Sequence, residues 1–315
     1  MSRVAHQPLW GWVMIAPCLL GLLVLTYGPT VCSVALSFAQ WDLLGPIQWV
    51  GWANFMSLWH DARFWNALNN TLVFVAIAAT LETILALGLA LLLTRPLPLQ
   101  ALWRSLFLIP YMTPLVGMAV VWGWLFAPDA GFVNVSLETI QQGVIAFGQG
   151  LGVLSPTQAP WVRGMAWLHH PHTAMGVIIL MKLWKSLGYT ALLFVAALQA
   201  IPESLPESAA LDGATGWQHF WRITLPMISP TLFFVVTMLG IIGFQTFDAV
   251  YLLTQGGPNH STDMVVYWLF KNSFEFYNIG LASAQAIVLF GVVMVLTGAQ
   301  WWAKQHWVLH EDTAA

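Results

Sequence analysis

Long apolar segments separated by short polar stretches run along most of the chain. Six of them are long enough to cross about 30 Å of hydrocarbon as helices. A membrane helix can contain proline when neighbouring helices or a cavity satisfy the freed carbonyls, so Pro110 and Pro114 do not exclude the third segment. The pattern predicts an all-α membrane protein in which one transmembrane domain covers residues 1–315. The six predicted spans are residues 12–38, 68–93, 105–127, 174–200, 227–251 and 279–303.

Composition agrees with a protein that faces lipid. Charged residues make up 7% of the chain and hydrophobic residues 58%, with a mean hydropathy of +0.73. A soluble domain has about 25% charged residues, so this chain has too few to cover a water-facing surface. The net charge of −3 gives no argument for nucleic acid as a partner. Membrane lipid is therefore the expected surroundings.

Basic residues near the ends of the spans predict the orientation. One side collects the basic residues of the two termini and of two short loops. The other side has fewer, spread over longer loops. Both termini are therefore expected on the cytoplasmic side of the membrane. The first group is Arg3, Arg95, Arg104, Arg222 and Lys304, and the second is Arg63, Arg163 and Lys271.

A polar stretch over residues 203–226 separates the fourth and fifth spans on the predicted cytoplasmic side. Pro206 suits the start of a short helix, and Glu207 in its first turn is favoured by the helix dipole. Gly213 suits the end of that helix because it adopts conformations that other residues resist. Trp217, Phe220 and Ile223 then recur at helical spacing. The stretch is interpreted as a rigid docking element; the alternative is an ordinary amphipathic loop.

These residues resemble the EAA motif of permease subunits in binding-protein-dependent ABC importers. The motif reads E-A-A, two residues, D-G-A, eight residues, I, one residue, L-P, and this chain departs from it only at Ser208. Shorter matches occur in the order of the carbohydrate-type branch, which includes maltose-like and glycerol-phosphate-like permeases. The resemblance implies a type I ABC importer permease fold with a cytoplasmic EAA coupling helix. The implied coupling residues are Glu207, Ala209, Asp212, Gly213, Ala214, Leu225 and Pro226.

The resemblance also implies a location in the bacterial inner (plasma) membrane and several partner subunits. A second homologous permease, two ABC ATPase subunits and an extracytoplasmic solute-binding protein would complete the importer. The chain has no G-x-x-x-x-G-K-[ST] phosphate loop. It is therefore expected to be a non-catalytic subunit that binds no cofactor, with ATP and Mg bound by the ATPases. Its expected function is the import of a sugar or polyol-type solute, whose identity the sequence does not reveal.

Polar residues within the spans are candidates for the solute path. Tyr189 and Gln245 are predicted to line the solute cavity, because polyol recognition needs hydrogen-bonding groups beside aromatic faces. Glu82, Lys182 and Lys185 allow two interpretations, a solute-contacting or gating set, or structural ion pairs and lysines that reach outward. Asp248 lies in the same region and is expected to be structural, at the outer end of its span.

Two rival functions remain open at this point. An ion-coupled secondary transporter could use Glu82 and the two lysines as a relay. A membrane-embedded enzyme or assembly factor would act without a partner ATPase. The first would lose uptake on addition of an ionophore and ignore ATP, whereas an ABC importer would respond in the opposite way.

Overall fold

The computed structural model describes residues 7–96, 98–150, 164–202 and 204–307. Arg3, Arg163 and Glu203, which entered the predictions above, lie outside these ranges. Helices dominate the described residues, and a single short hairpin pairs β1 (Ala39–Gln40) with β2 (Gln48–Trp49) in antiparallel register. The helices are α1 (Gln7–Leu22), α2 (Gly28–Leu36), α3 (Ala53–His60), α4 (Ala62–Leu93), α5 (Gln100–Met112), α6 (Leu115–Leu125), α7 (Phe132–Gly150), α8 (Pro171–Gln199), α9 (Ser204–Leu211), α10 (Gly216–His219), α11 (Leu225–Met227), α12 (Ser229–Phe244), α13 (Asp248–Leu253), α14 (Val265–Phe270) and α15 (Ile279–Trp307).

Four stretches are straight, long and apolar enough to cross a membrane: Gly11–Leu36, Ala62–Leu93, Pro171–Gln199 and Ile279–Lys304. The first is continuous because a π-helical turn, Leu23–Tyr27, joins α1 to α2. The predicted third and fifth spans are bent instead. The third bends by 94° between α5 and α6, and the fifth has a 67° bend at its start, where the α10–α11 segment from the predicted polar stretch meets α12. The described residues contain up to six candidate spans if each bent pair is counted as one.

The fifth span differs from its prediction at the far end as well. Residues 227–251 were expected to form one helix, but α12 ends at Phe244 and α13 starts at Asp248. At the break the hydrogen bonds span three residues instead of four. The N–H of Gln245 donates to the carbonyl of Ile242, and that of Thr246 donates to the carbonyl of Gly243. This 3₁₀-type tightening is a usual helix ending, and no proline marks it in the sequence.

The chain divides into two compact units. One comprises Met1–Phe64 with Trp268–Met294, and the other comprises Trp65–Tyr267 with Val295–Ala315. In the first unit the Asn54 amide donates hydrogen bonds to the carbonyls of Ser37 and Ala39, at 2.9 and 2.8 Å. These bonds tie the start of α3 to the hairpin. The prediction of one transmembrane domain over residues 1–315 stays a prediction.

The second unit contains two buried apolar clusters, and α8 contributes to both. Ile178 lies in the first with Phe74 and Val250, and Phe194 lies in the second with Ile228 and Val235. All six are at most 1% exposed. Lipid tails are as apolar as these side chains, so in a membrane it is close van der Waals packing that holds α8 against its neighbours. The middle of this helix also forms a wall of the cavity described below.

Candidate coupling loop and solute cavity

The predicted docking element is a helix followed by a tight turn. In α9, Glu207 lies in the first turn and is exposed to solvent. Gly213 ends the helix with a φ of +73°, a conformation that costs a residue with a side chain roughly 1–2 kcal/mol. The N–H of Ala214 donates to the carbonyl of Ala209 at 2.9 Å, as in a Schellman ending. The backbone between Glu207 and Ala214 is therefore a defined turn.

A second, irregular arm follows that turn. Thr215 caps α10 in a reciprocal capping box with Gln218, whose N–H and side chain pair with Thr215 at 3.4 and 2.9 Å. The chain then forms a π-helix over Phe220–Thr224. The expected stripe of Trp217, Phe220 and Ile223 is altered by this change of period. The rings of Trp217, Phe220 and Trp221 cluster instead, with centroids 5.5–6.3 Å apart.

The predicted coupling residues differ in their exposure. Glu207, Asp212 and Gly213 are exposed. Ala209 is 8% exposed, so its methyl packs within this chain and is not open to a partner in this conformation. Leu225 and Pro226 are half-buried in α11, beyond the π-helix and separate from the Glu207–Ala214 turn.

Two bulky apolar side chains close to the turn in sequence are exposed: Trp217, which was predicted as part of the apolar stripe, and Leu211, which sequence reasoning missed. Leu211 is 89% exposed and Trp217 is 71% exposed. Leu211 lies next in sequence to the exposed Asp212, and Trp217 belongs to the ring cluster with Phe220 and Trp221, so both offer apolar surface near the turn. For Leu211 the available signal was its position directly before Asp212 and Gly213.

A cavity of about 210 Å³ lies within the second unit where three elements meet. The first residues of α6 form one wall and the middle of α8 another. The break between α12 and α13 forms the third. Broken helices at membrane depth are tolerated where they are buried in protein or line a cavity. The lining residues are Leu115, Met118, Met181, Lys182, Lys185, Ile242, Gln245, Thr246, Phe247, Asp248 and Ala249.

The two predicted cavity residues lie in different surroundings. Gln245 is exposed in the wall of this cavity, in the helix break. Tyr189 is not among the lining residues; its ring stacks on that of Tyr111 with centroids 4.5 Å apart and planes 10° apart. Asp248, expected to be only structural, is also in the wall. The solute-contacting roles of Tyr189 and Gln245 stay predictions.

Glu82, Lys182 and Lys185 are held in different ways. Glu82 is 1% exposed, and its carboxylate accepts a hydrogen bond of 2.7 Å from the Thr190 hydroxyl. The same carboxylate attracts the Lys182 ammonium electrostatically. Lys185 donates from Nζ to the carbonyls of Tyr111 and Thr113, at 3.1 and 2.6 Å. Both lysines also line the cavity.

Comparison with known proteins gives consistent matches over nearly the whole chain. A family model described as "Binding-protein-dependent transport system inner membrane component" matches residues 82–300. The chain is 31% identical over 313 residues to the probable ABC transporter permease protein YesP of Bacillus subtilis, covering 98% of this chain and 94% of YesP. It is 30% identical to the sulfoquinovosyl glycerol transport system permease protein SmoG of Agrobacterium fabrum, over 90% of this chain and 87% of SmoG.

A third relative and a solved structure extend the comparison. The sn-glycerol-3-phosphate transport system permease protein UgpA of Brucella abortus is 31% identical, over 92% of each chain. A crystal structure of a bacterial alginate ABC transporter, in complex with an alginate pentasaccharide-bound periplasmic protein, contains a chain that matches with a TM-score of 0.79. That match has 21% identity and covers 94% of this chain and 93% of the other, so it shows a shared fold.

Proposed function

Because the chain belongs to the family of binding-protein-dependent transport system inner membrane components, we propose that it forms part of the path by which a sugar or polyol-type solute enters the cell. Membership confirms the predicted resemblance, the helical permease fold and the role of ABC importer permease. It favours an importer over the ion-coupled secondary transporter. The family match over residues 82–300 is the observation that carries this conclusion.

The proposed solute class comes from the relatives. SmoG is named for sulfoquinovosyl glycerol and UgpA for sn-glycerol 3-phosphate, so both names specify polyhydroxylated solutes. The cavity next to the helix break has the chemistry for such a solute. Gln245 supplies an amide, Asp248 an acceptor and Phe247 an aromatic ring within about 210 Å³. Tyr189 does not line this cavity and would act indirectly, through its stack on Tyr111.

The free energy for transport would come from ATP hydrolysis in two ATPase subunits, which are separate chains that bind ATP and Mg. Each ATPase groove would receive a coupling loop, here the exposed side of Glu207, Asp212 and Gly213. Leu211 and Trp217 would be buried on docking. Ala209, Ala214, Leu225 and Pro226 would keep the loop rigid rather than contact the ATPase. A second permease and a solute-binding protein complete the assembly, with both termini and this loop in the cytoplasm.

The mechanism follows from the rigidity of α8, which ends five residues before α9 begins. ATP-driven closure of the ATPases would move the coupling loop. That movement would pass into α8, whose middle forms a wall of the cavity. Access to the cavity would thereby change from one side of the membrane to the other.

Reconstitution of the complete importer in proteoliposomes tests this function. We expect solute uptake that requires ATP and the solute-binding protein and persists with an ionophore. The panel should contain sn-glycerol 3-phosphate, sulfoquinovosyl glycerol and maltose, with the solute-binding protein of the same system. Uptake that ignores ATP and disappears with the ionophore would contradict the proposal.

A further inference from the structure

The bend in the third span leaves backbone carbonyls that no helix can satisfy. Thr113 precedes Pro114 and is extended, with φ −71° and ψ 131°, as steric contact with a following proline requires. The helical bonding of α5 therefore stops near Met112, and the carbonyls of Tyr111 and Thr113 have no partner within a helix. In a membrane such a carbonyl costs several kcal/mol unless another group satisfies it.

Lys185 from α8 satisfies both carbonyls. Its Nζ lies 3.1 Å from the Tyr111 oxygen and 2.6 Å from the Thr113 oxygen. Hydrogen bonds from a charged donor are about twice as strong as neutral ones. A cation is also favoured at the carboxyl end of a helix, where the dipole is negative. One side chain thus satisfies two of the carbonyls that the break leaves free.

Two further contacts fix the position of α5 on α8. Gly188 lies so close to Phe107 that a Cβ on it would be 1.7 Å from the Phe107 oxygen. One residue further, Tyr189 stacks on Tyr111. Phe107 and Tyr111 are four residues apart and therefore share a face of α5. These two contacts hold α5 closely against α8, and the ammonium of Lys185 is thereby directed toward the break.

The break that Lys185 holds is also an edge of the cavity. Leu115, two residues after Thr113, lines the cavity together with Lys185 itself. We propose that Lys185 is a positioning residue for transport, whose ammonium holds the Tyr111–Leu115 bend and so sets the cavity wall that solute meets. The consequence for transport rests on the proposed function; the consequence for the bend does not.

Lys182 supplies a matched control. It lies one turn earlier on the same helix and lines the same cavity, but its electrostatic partner is Glu82 rather than the bend. Lys182→Met and Lys185→Met remove the same charge from the same wall. Only the second removes the two bonds to the carbonyls.

The first readout is the exposure of the wall, measured without transport. Leu115→Cys is introduced into the complete importer after Cys18 and Cys32, which are exposed, are replaced by alanine. A small water-soluble thiol reagent then modifies membranes that contain the complex. We expect Lys185→Met to change the rate of modification at position 115 by about tenfold, equivalent to about 1.4 kcal/mol in the opening of the bend. Lys182→Met should leave the rate within about twofold.

The second readout is transport. Lys185→Met should raise the KM for uptake more than it lowers the maximal rate, because the wall is misplaced while the coupling loop is intact. Lys185→Arg, which keeps a charged donor, should recover most of the loss. If Lys185→Met fails to assemble, Lys185→Gln replaces it, and the modification rate at position 115 is read in that variant.

Two results would overturn the inference. One is a modification rate at position 115 that Lys185→Met and Lys185→Gln leave unchanged. The other is an equal change in Lys182→Met, which would assign the effect to charge in the cavity instead of the bend. Failure of the wild-type importer to take up any solute with ATP would instead contradict the proposed function, and the modification readout would still be decisive for Lys185.

Discussion

The bends of the third and fifth spans are stabilised by different interactions. At the third bend, a proline and the extended residue before it turn the chain by 94°. The Lys185 ammonium from α8 donates hydrogen bonds to the carbonyls that this bend leaves free. At the fifth, the chain turns by 67° at Ile228, whose backbone bonds continue locally. Its N–H donates to Thr224 at 3.0 Å, and its carbonyl accepts from Leu232 at 2.9 Å.

The two bends also differ in how tightly the residues around them are packed. Ile228 is 1% exposed within an apolar cluster, so many contacts hold its bend. The third-span bend lies at the cavity, where packing is incomplete, and depends on Lys185 and on a close approach at Gly188. The bend beside the cavity should therefore be sensitive to single substitutions, and the packed bend should tolerate them.

Gly188→Ala should give the largest effect. The added methyl would meet the backbone of Phe107 at 1.7 Å, and backbone cannot move aside as a flexible side chain can. We expect loss of most assembled permease, measured as complex recovered from membranes and as its thermal midpoint. Gly176→Ala, on the same helix with nothing within 4 Å of the new Cβ, is the control and should assemble normally. Normal assembly of Gly188→Ala would mean that α5 and α8 are not fixed as described.

Gly213→Val should come second and should affect coupling rather than assembly. A Cβ here meets nothing within 4 Å, but φ is +73°, which a β-branched residue strongly resists. We expect the turn to rearrange, so that ATP hydrolysis continues while uptake falls by more than about tenfold, the effect of about 1.4 kcal/mol. Gly216→Ala, where φ is not positive and space is open, is the control. Wild-type uptake by Gly213→Val would argue against a docking role for this turn.

Gln245→Ala and Tyr189→Ala test the cavity side at a smaller scale. Gln245 lines the cavity, so its loss should raise the KM for uptake, by roughly the tenfold that one hydrogen bond of about 1.4 kcal/mol represents. Tyr189 acts through the Tyr111 stack and should have a weaker effect. Assembly and basal ATP hydrolysis should be unchanged in both. Unchanged uptake kinetics in both variants would remove them from the solute path.

Ile228→Val tests the packed bend and should have the smallest effect. Removing one buried methyl group costs about 0.5–1.5 kcal/mol, and the local backbone bonds remain. We expect a small drop in thermal midpoint with normal uptake. A loss of coupling in this variant would contradict the view that packing makes this bend tolerant.

The apolar pattern was sufficient to predict the helical class and the six segments. The Glu207–Ala214 turn could also be located, because Asp212-Gly213 is a local signal for a helix end. Pro110 and Pro114 were visible in the third segment, but the 94° bend and its partner Lys185 were not. A hydrogen bond between residues more than 70 positions apart depends on how helices pack.

Other features had no sequence signal of their own. The break at Gln245 contains no proline or glycine, and the π-helix at Phe220–Thr224 follows an ordinary helical spacing. The burial of Ala209 depends on which side of α9 faces the rest of the chain. Each of these is decided by tertiary packing, which propensity and periodicity do not include.

The loop between α13 and α14 is tied to the start of α4 by contacts between distant parts of the chain. Asn66 and Asn70 donate to the carbonyl of His260 at 2.8 and 2.9 Å, and Asn70 also donates to that of Asp263 at 3.0 Å. Domains are synthesised from the amino terminus at about 5–20 residues per second, so some ten to forty seconds separate the appearance of these partners. Until residue 263 has been synthesised, these hydrogen bonds cannot all form. The contacts that hold this loop to α4 therefore form late in the biogenesis of this permease, when most of the chain has been made.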